Sequence, residues 1–379
     1  MTGRDVVVVG GGVIGMSIAY ALSRAGVRSI LLDQGELGRA ASWAGAGMIP
    51  PHCERILTNP TTELRSWSAL LYPEWSESLR EETGIDNGYR RTGGVDVALT
   101  EAEEIDLRAA AGRWRAERIV FERLAPADFH RVEPALTSGL RAAYFLPDRA
   151  QIRNPRHLKA LAEALSRRGV DLRPCQAVLG FDVVGDRVQA VRTADGPIGC
   201  DRVVVAAGAW TADLLGGLGV AAPTPPLKGQ IVLLRDPRQP LRRIVEHGKN
   251  YLVPRDDGRI LIGATEEDAG FDTRTTDEAR RDLLAVAVRL CPILAESEVE
   301  RSWAGLRPGS FDSKPYLGPA PGWSNVVVAS GHKRAGLQLA PATAEVITDL
   351  VLDRSPRIDL TPYRLDRSPS EWADPAFRS

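Results

Sequence analysis

Cysteine is scarce. The four in this chain of 379 residues, Cys53, Cys175, Cys200 and Cys291, are too scattered for a CxxC metal site or a disulfide framework. A reducing compartment is the expectation. An excess of charge of either sign is also missing: 48 Lys+Arg stand against 49 Asp+Glu, for a formal net charge of −1. Nothing in that balance captures nucleic acid or an anionic membrane. There is no long low-complexity linker and no internal repeat of solenoid length. Only Met1 to Asp5 precede the first apolar run, too short a stretch for a charged n-region followed by a signal h-region. The run VVVVGGGVIGMSIAYAL imitates a membrane span in hydropathy. Its glycine triplet and the charges on both sides favour strand, turn and helix instead. A soluble cytoplasmic protein is expected, and the length points to two closely packed domains.

The positive features begin at Val6–Val9, a β-branched run of the kind buried on both faces of a parallel sheet. Gly10-Gly11-Gly12-Val13-Ile14-Gly15 follows, then an amphipathic helix to about Ala25, ended by Gly26. A second buried strand, Ser29 to Leu32, runs into Asp33. In a dinucleotide fingerprint the glycines have separate duties. Gly10 makes the tight turn, Gly12 lets backbone approach a pyrophosphate, and Gly15 permits close packing of helix on strand. The helix start offers N–H groups and a positive dipole end to phosphate. Asp33 can accept hydrogen bonds from both ribose hydroxyls and would repel a 2′-phosphate. Strand, helix, second strand and acid in this order make the motif specific for a dinucleotide. At this point FAD and NAD both remain open.

Two later segments echo the small-residue turn. GELGRAASWAGAGMIPPH can let a flat ring lie against backbone, and Gly45, Gly47 and the prolines make it a poor helix. RVVVAAGAWTADLL reads as strand, turn and helix, and NVVVASGHKRAGLQLAPATAEVITDLV repeats that pattern near the other end of the chain. Between these pieces, residues 88–147 and 223–302 alternate apolar and polar over short runs such as GGVDVALT and KGQIVLLR. That is the rhythm of half-exposed antiparallel sheet. The expected architecture is a discontinuous dinucleotide domain of residues 1–87, 148–222 and 303–379, with an α+β substrate domain, 88–147 and 223–302, inserted in two pieces.

In order along the chain, VVVVGGGVIGMSIAYAL, ASWAGAGMIPP, RVVVAAGAWT, YLVPRDDGRILIGAT, GLRPGSFDSKPYLGP and GHKRAGLQLAPATAEVITDLV resemble the D-amino-acid oxidase/glycine oxidase superfamily of flavoproteins. The likeness is greatest to its ThiO-type glycine oxidase branch. It spans residues 5–351 and implies an α/β fold: a Rossmann-like FAD domain of glutathione-reductase type with an inserted antiparallel-sheet substrate domain. It also implies noncovalent FAD, since Gly305 to Gly318, the region where sarcosine oxidase relatives attach flavin, contains no cysteine. The implied chemistry is hydride transfer from the substrate Cα to flavin N5, hydrolysis of the resulting imine to an oxo acid and ammonia, and reoxidation by O2 with release of H2O2. No acid–base side chain is required when the amine is bound neutral, and none is assigned.

The resemblance places FAD against Gly10, Gly12, Val13, Ile14 and Gly15, and against Asp33 with Gln34. It adds Ala41, Ser42, Ala46, Gly47 and Met48 from the small-residue loop, and Val178, Ala207, Gly208 and Trp210 from the middle segment. His332, Lys333, Arg334, Ala335, Gly336, Leu337 and Gln338 complete the set, facing the pyrimidine edge where negative charge gathers on reduction. His332 reads equally well as a satisfied turn histidine. For substrate, Arg307 matches the carboxylate-binding arginine, whose planar fork suits that group. Tyr251 matches the tyrosine beside it, Arg334 is a second contact, and Met48 lines the pocket. Relatives suggest a homotetramer, with a small amine and O2 as the only partners. Rival readings are a D-amino-acid or sarcosine oxidase, a dehydrogenase passing electrons to a carrier, a flavin domain modifying tRNA, and a flavin-binding protein without turnover.

One expectation comes from register alone. With Asp257-Gly258 as a two-residue hairpin loop, Arg255 lies opposite Ile260, Tyr251 opposite Ala264, and Lys249 opposite Glu266. Alternation then puts Lys249 on the face of Tyr251, so Lys249 and Glu266 form an ion pair at the pocket, favouring a small polar amine over glycine.

Overall fold

A computed structural model describes residues 5–53 and 60–367. Two large sheets organise it. The first has six strands in the order Tyr316–Pro319, Val326–Ser330, Arg202–Val205, Asp5–Val9, Arg28–Leu32 and Asp171–Arg173. All neighbours are parallel except the Tyr316–Pro319 edge. Val6, Val7 and Val8 are fully buried at its centre. The helix Val13–Arg24 packs on this sheet and is buried at every position from Val13 to Leu22, because the apolar helix Gly336–Val351 covers its outer side. A helix buried all round has no use for a polar face, which explains its resemblance to a membrane span. Among the described residues no helix is long and apolar enough to cross a membrane.

The second sheet has eight strands, in the order Glu298–Pro308, Pro226–Arg235, Arg259–Gly263, Asn250–Pro254, Ile244–His247, Gly94–Ala98, Ala142–Leu146 and Glu122–Arg123. One face packs on the helix Asp277–Leu290 around Val232, Leu234, Val245, Leu252 and Ile262. The other face looks toward the first sheet. The strand Glu298–Pro308 pairs with Pro226–Arg235 along its whole length, from Arg235↔Glu298 to Pro226↔Pro308. The position 302/303 lies within this strand. A small antiparallel sheet is formed by Gly180–Val184, Arg187–Thr193 and Gly196–Gly199. Ala41–Ala44 forms one helical turn before Gly45 and Gly47 end it, a difference from the expected loop.

The expected hairpin register is off by one. Arg255 donates its N–H to Arg259 O at 2.7 Å, so the loop is Asp256-Asp257-Gly258 with Gly258 at φ +80°. This is the three-residue alternative to a two-residue turn, with the left-handed position taken by glycine. Pro254 therefore faces Ile260, and Tyr251 faces Gly263 rather than Ala264. Lys249 is not in a strand at all: with Gly248 (φ +56°) it forms the tip of the preceding hairpin, closed by His247↔Asn250.

Arg255 ties the second sheet to the loops of the first unit. Its buried guanidinium donates to Gln151 Oε1 at 2.5 Å, Ile152 O at 3.1 Å and Ala46 O at 2.7 Å. Burial pulls its pKa down to about 10, so it stays charged at neutral pH. Replacing Arg255 by Met strands three acceptors and is expected to cost about 3 kcal/mol, read as a lower denaturant midpoint; Arg255→Lys should recover only part of the loss.

Candidate active site

A cavity of about 920 Å³ lies between the sheets, running from Asp33 at one end to Arg307 and Lys249 at the other. That is the upper end for a ligand pocket and suits a long cofactor with a substrate beside it. Of the residues singled out from sequence, all except Gly15 and Glu266 line it. Gly15 sits behind the wall, where a Cβ would lie 1.8 Å from Gly10 O; Gly10, at φ +111°, is itself pressed against Ala206. Glu266 lies beside the cavity, at 2.9 Å from Arg334 Nη2 and 3.8 Å from Lys333 Nζ. The expected Lys249–Glu266 pair is therefore replaced by one between Glu266 and the Lys333-Arg334 turn, a direct result of the one-residue slip in register.

The Asp33 end has the chemistry of a diphosphate and ribose site. The helix Val13–Arg24 points its start into the cavity with no acid in its first turn, and the Ser42 hydroxyl accepts from Val13 N–H at 2.8 Å. Asp33 accepts from Gly11 N–H at 2.6 Å and Gly35 N–H at 2.8 Å, which fixes its carboxylate at the strand end. Burial nevertheless pushes its pKa up. The small-residue loop is held by Asn154, whose amide donates to Ser42 O and Gly45 O, both at 2.8 Å. Gly47, at φ +71°, passes so near Ile152 that a Cβ would fall 2.1 Å from its carbonyl oxygen. Asn154 was not legible as part of the site, because nothing local marks a residue 109 positions from its partner.

At the other end the helix Gly336–Val351 also starts at the cavity, again without a first-turn acid or side-chain cap. Two positive helix ends thus face one elongated cavity, which fits a dinucleotide with a diphosphate at one point and an electron-accepting ring at another. His332 is buried beside the second helix, with Nε2 3.2 Å from Thr343 Oγ1. Burial holds its pKa down to about 3, so it is a neutral hydrogen-bonding group.

The wall facing this second helix belongs to the eight-stranded sheet, and glycines shape it. Gly305, Gly229 and Gly263 lie on its cavity face. A Cβ on Gly305 would lie 2.5 Å from Ala44 Cβ, one on Gly229 would lie 2.2 Å from an Arg307 Nη, and one on Gly263 would lie 2.3 Å from the Tyr251 hydroxyl. The missing side chains form a trough in which Arg307 and Tyr251 lie flat. Arg307 Nη1 donates to Thr265 O at 3.1 Å. Burial lowers the Arg307 pKa, the arrangement expected where a guanidinium awaits an anion. Burial raises that of Tyr251, keeping its phenol protonated. Met48 and Trp303 close the trough, with Trp303 Nε1 donating to Ala44 O at 3.0 Å.

Sequence reasoning missed a charged group in the same wall. Arg149, Asp96 and Glu246 come from three separate segments, and Arg149 bridges the two carboxylates. The Gly248-Lys249 turn, had it been read as a two-residue hairpin, would have shown Glu246 opposite Tyr251. Among the described residues no cluster of His, Cys, Asp and Glu could hold a metal. Cys53 also lines the cavity, but it is buried against Ser66 and burial raises its thiol pKa, which makes it unreactive.

The buried imidazole gives a signed pH dependence. His332 falls from 6.5 to about 3 on folding, so acid protonates the unfolded chain first. Its contribution is complete above about pH 6.5 and is lost, by about 1.4 kcal/mol per pH unit, as pH falls through that window. Stability measured from pH 7 to 4.5 is expected to decline less steeply in His332→Gln than in the wild type.

Comparison with known proteins agrees with this geometry. The FAD dependent oxidoreductase (DAO) family matches residues 5–350. The chain is 40% identical to glycine oxidase of Pseudomonas putida, over 95% of this chain and 98% of that protein. It is 34% identical to the bifunctional protein ThiO/ThiG of Synechocystis, over 93% of this chain and 52% of that longer protein. The crystal structure of glycine oxidase from Geobacillus kaustophilus superposes with a TM-score of 0.92 at 34% identity, covering 96% of this chain and 99% of that one. With a family match over residues 5–350 and this similarity to its relatives beside a cavity that two positive helix ends face, the chain belongs to the family of FAD-dependent oxidoreductases typified by D-amino-acid oxidase.

Proposed function

We propose that the protein oxidises glycine, or another small amino acid, at the carbon bearing its amine, and passes the electrons to O2. The observation that carries this reading is the meeting of Arg307 and Tyr251 in a glycine-lined trough across from the start of the helix Gly336–Val351. FAD binding alone needs neither side chain.

FAD supplies hydride acceptance and reaction with O2 when bound. The residues suited to hold it are Gly10, Gly12, Val13 and Ile14 at the diphosphate, Asp33 and Gln34 at the ribose, and the Ala41–Met48 loop along the ring. Val178, Ala207, Gly208 and Trp210 would flank it, and His332 to Gln338 would present N–H groups at its pyrimidine edge. Cys53 is inert and the stretch Gly305 to Gly318 has no cysteine, which supports noncovalent attachment. The protein's remaining work is positional. Arg307 receives the substrate carboxylate with two parallel donors, and the Tyr251 hydroxyl adds a third. Arg334 contributes a further cation, steered by Glu266. Met48 supplies an apolar wall that keeps the amine end dry, and a neutral amine then needs no base. Relatives named glycine oxidase and ThiO/ThiG support a role in thiamine biosynthesis, and a homotetramer is the assembly we adopt from the same branch.

The test is spectroscopic. Purified protein should show a flavin spectrum that bleaches anaerobically with glycine, sarcosine or D-alanine and recovers in air with release of H2O2. Bleaching without peroxide would instead make it a dehydrogenase. Arg307→Met removes a charge-assisted pair and should raise KM about 30-fold or more, while Gly229→Ala, which displaces Arg307, should weaken carboxylate binding in the same direction.

A further inference from the structure

Five cross-strand partners form one row across the cavity face of the eight-stranded sheet: Ile231, Gly263, Tyr251, Glu246 and Asp96. Direct partners project to the same side, with neighbouring Cβ atoms about 5 Å apart. Tyr251 lies over Gly263, toward Arg307. Glu246 stands on the opposite flank of Tyr251, one strand further from the carboxylate-binding end, and it lines the cavity with 31% of its side chain accessible. Its Oε1 lies 3.0 Å from Arg149 Nη1. Arg149 is itself buried and gives both of its terminal nitrogens to Asp96. Among the described residues, Glu246 Oε2 has no hydrogen-bond partner.

A structural salt bridge needs only the Arg149–Asp96 fork, already two-toothed. Glu246 is additional to it. It is oriented by a buried cation and is open to the cavity on its other oxygen. With Glu246 itself counted as ionised, Arg149, Arg65 and Lys249 are matched by Asp96, Glu246 and Glu117, so this lobe selects neither a cation nor an anion by net charge. What Glu246 lacks is a donor.

We infer that Glu246 defines a second substrate subsite beyond Tyr251, which accepts a hydrogen bond from an uncharged donor-bearing arm on the amino-acid substrate. The substrate class is a small amino acid or N-substituted glycine with a hydroxyl on that arm, its carboxylate on Arg307. The inference rests on the oxidase reading above and narrows its substrate. Arg149 is a positioning residue here, acting through Glu246.

The experiment compares matched pairs in the FAD-loaded enzyme: N-(2-hydroxyethyl)glycine against N-ethylglycine, and D-serine against D-alanine. At least one pair should show kcat/KM higher for the hydroxyl member by about tenfold, the size of one hydrogen bond to a charged acceptor. Glu246→Leu should abolish that ratio through KM. Glu246→Gln, which keeps shape and an acceptor, should reduce it less and guards against a folding defect. A readout without turnover is the dissociation constant of 4-hydroxybutanoate relative to butanoate, from perturbation of the flavin absorption; the hydroxyl acid should bind more tightly in wild type and lose that advantage in Glu246→Leu. Equal ratios in wild type and Glu246→Leu overturn the subsite while leaving the oxidase reading intact. Preference for N-carboxymethylglycine over both hydroxyl substrates also overturns it, and assigns the lobe to Lys249 and an anion. If no member of the panel, glycine included, bleaches the flavin, the oxidase reading falls and the subsite with it.

Discussion

The buried guanidinium of Arg255 is the constraint on which the rest of the site depends. It comes from the hairpin of the substrate sheet and satisfies acceptors on two loops of the other unit, at Ala46 and at Gln151 and Ile152. A charge taken from water is expensive unless its donors are used, and here three acceptors are supplied at 2.5 to 3.1 Å. Trp43, packed edge-on against Trp303, is the main large side chain that anchors the small-residue loop, and Arg255 and Asn154 fix its backbone by hydrogen bonds to its carbonyls. Only then do Ala44 and Gly305 meet closely enough to seal the cavity between them.

The same placement explains the electrostatics. Two helix starts converge on one cavity, neither with an acid in its first turn, while Arg334 sits in the turn just before the second start and Arg307 on the facing sheet. A site this rich in positive potential invites an anionic cofactor and an anionic end of the substrate. The carboxylates that offset it, Glu266 and Glu246, are both tied to arginines rather than left to approach Arg307. Arg307 therefore keeps its forward donors for a ligand, with a carbonyl rather than a carboxylate as its internal partner.

What was legible in the sequence was local. The glycine fingerprint, its strand and helix, and Asp33 lie within about thirty residues, and each carries its own turn chemistry. The later strand–turn–helix pieces follow the same short-range logic. Register was less secure. A DG pair permits either a two-residue loop or a three-residue loop with left-handed glycine, and the shorter one moves the partner of Tyr251 across this hairpin by one, from Gly263 to Ala264. That slip created the Lys249–Glu266 pair and hid the contact of Tyr251 with Gly263. The non-local parts had no sequence signal. Asp96, Arg149 and Glu246 become neighbours only because Ile244–His247 docks in parallel beside Gly94–Ala98, a pairing no hairpin turn announces.

The strand order of the first sheet also governs how the protein can be made. Arg202–Val205 lies between Asp5–Val9 and Val326–Ser330, so the central strand has a partner from each end of the chain. During synthesis the N-terminal fingerprint emerges first, yet one flank of its sheet stays open until some three hundred further residues have left the ribosome. The helix Gly336–Val351, which covers the outer side of Val13–Arg24, arrives later still. A nascent chain must therefore carry an exposed valine-rich edge until Val326–Ser330 has been made, and the second helix start of the cavity is in place only after that strand.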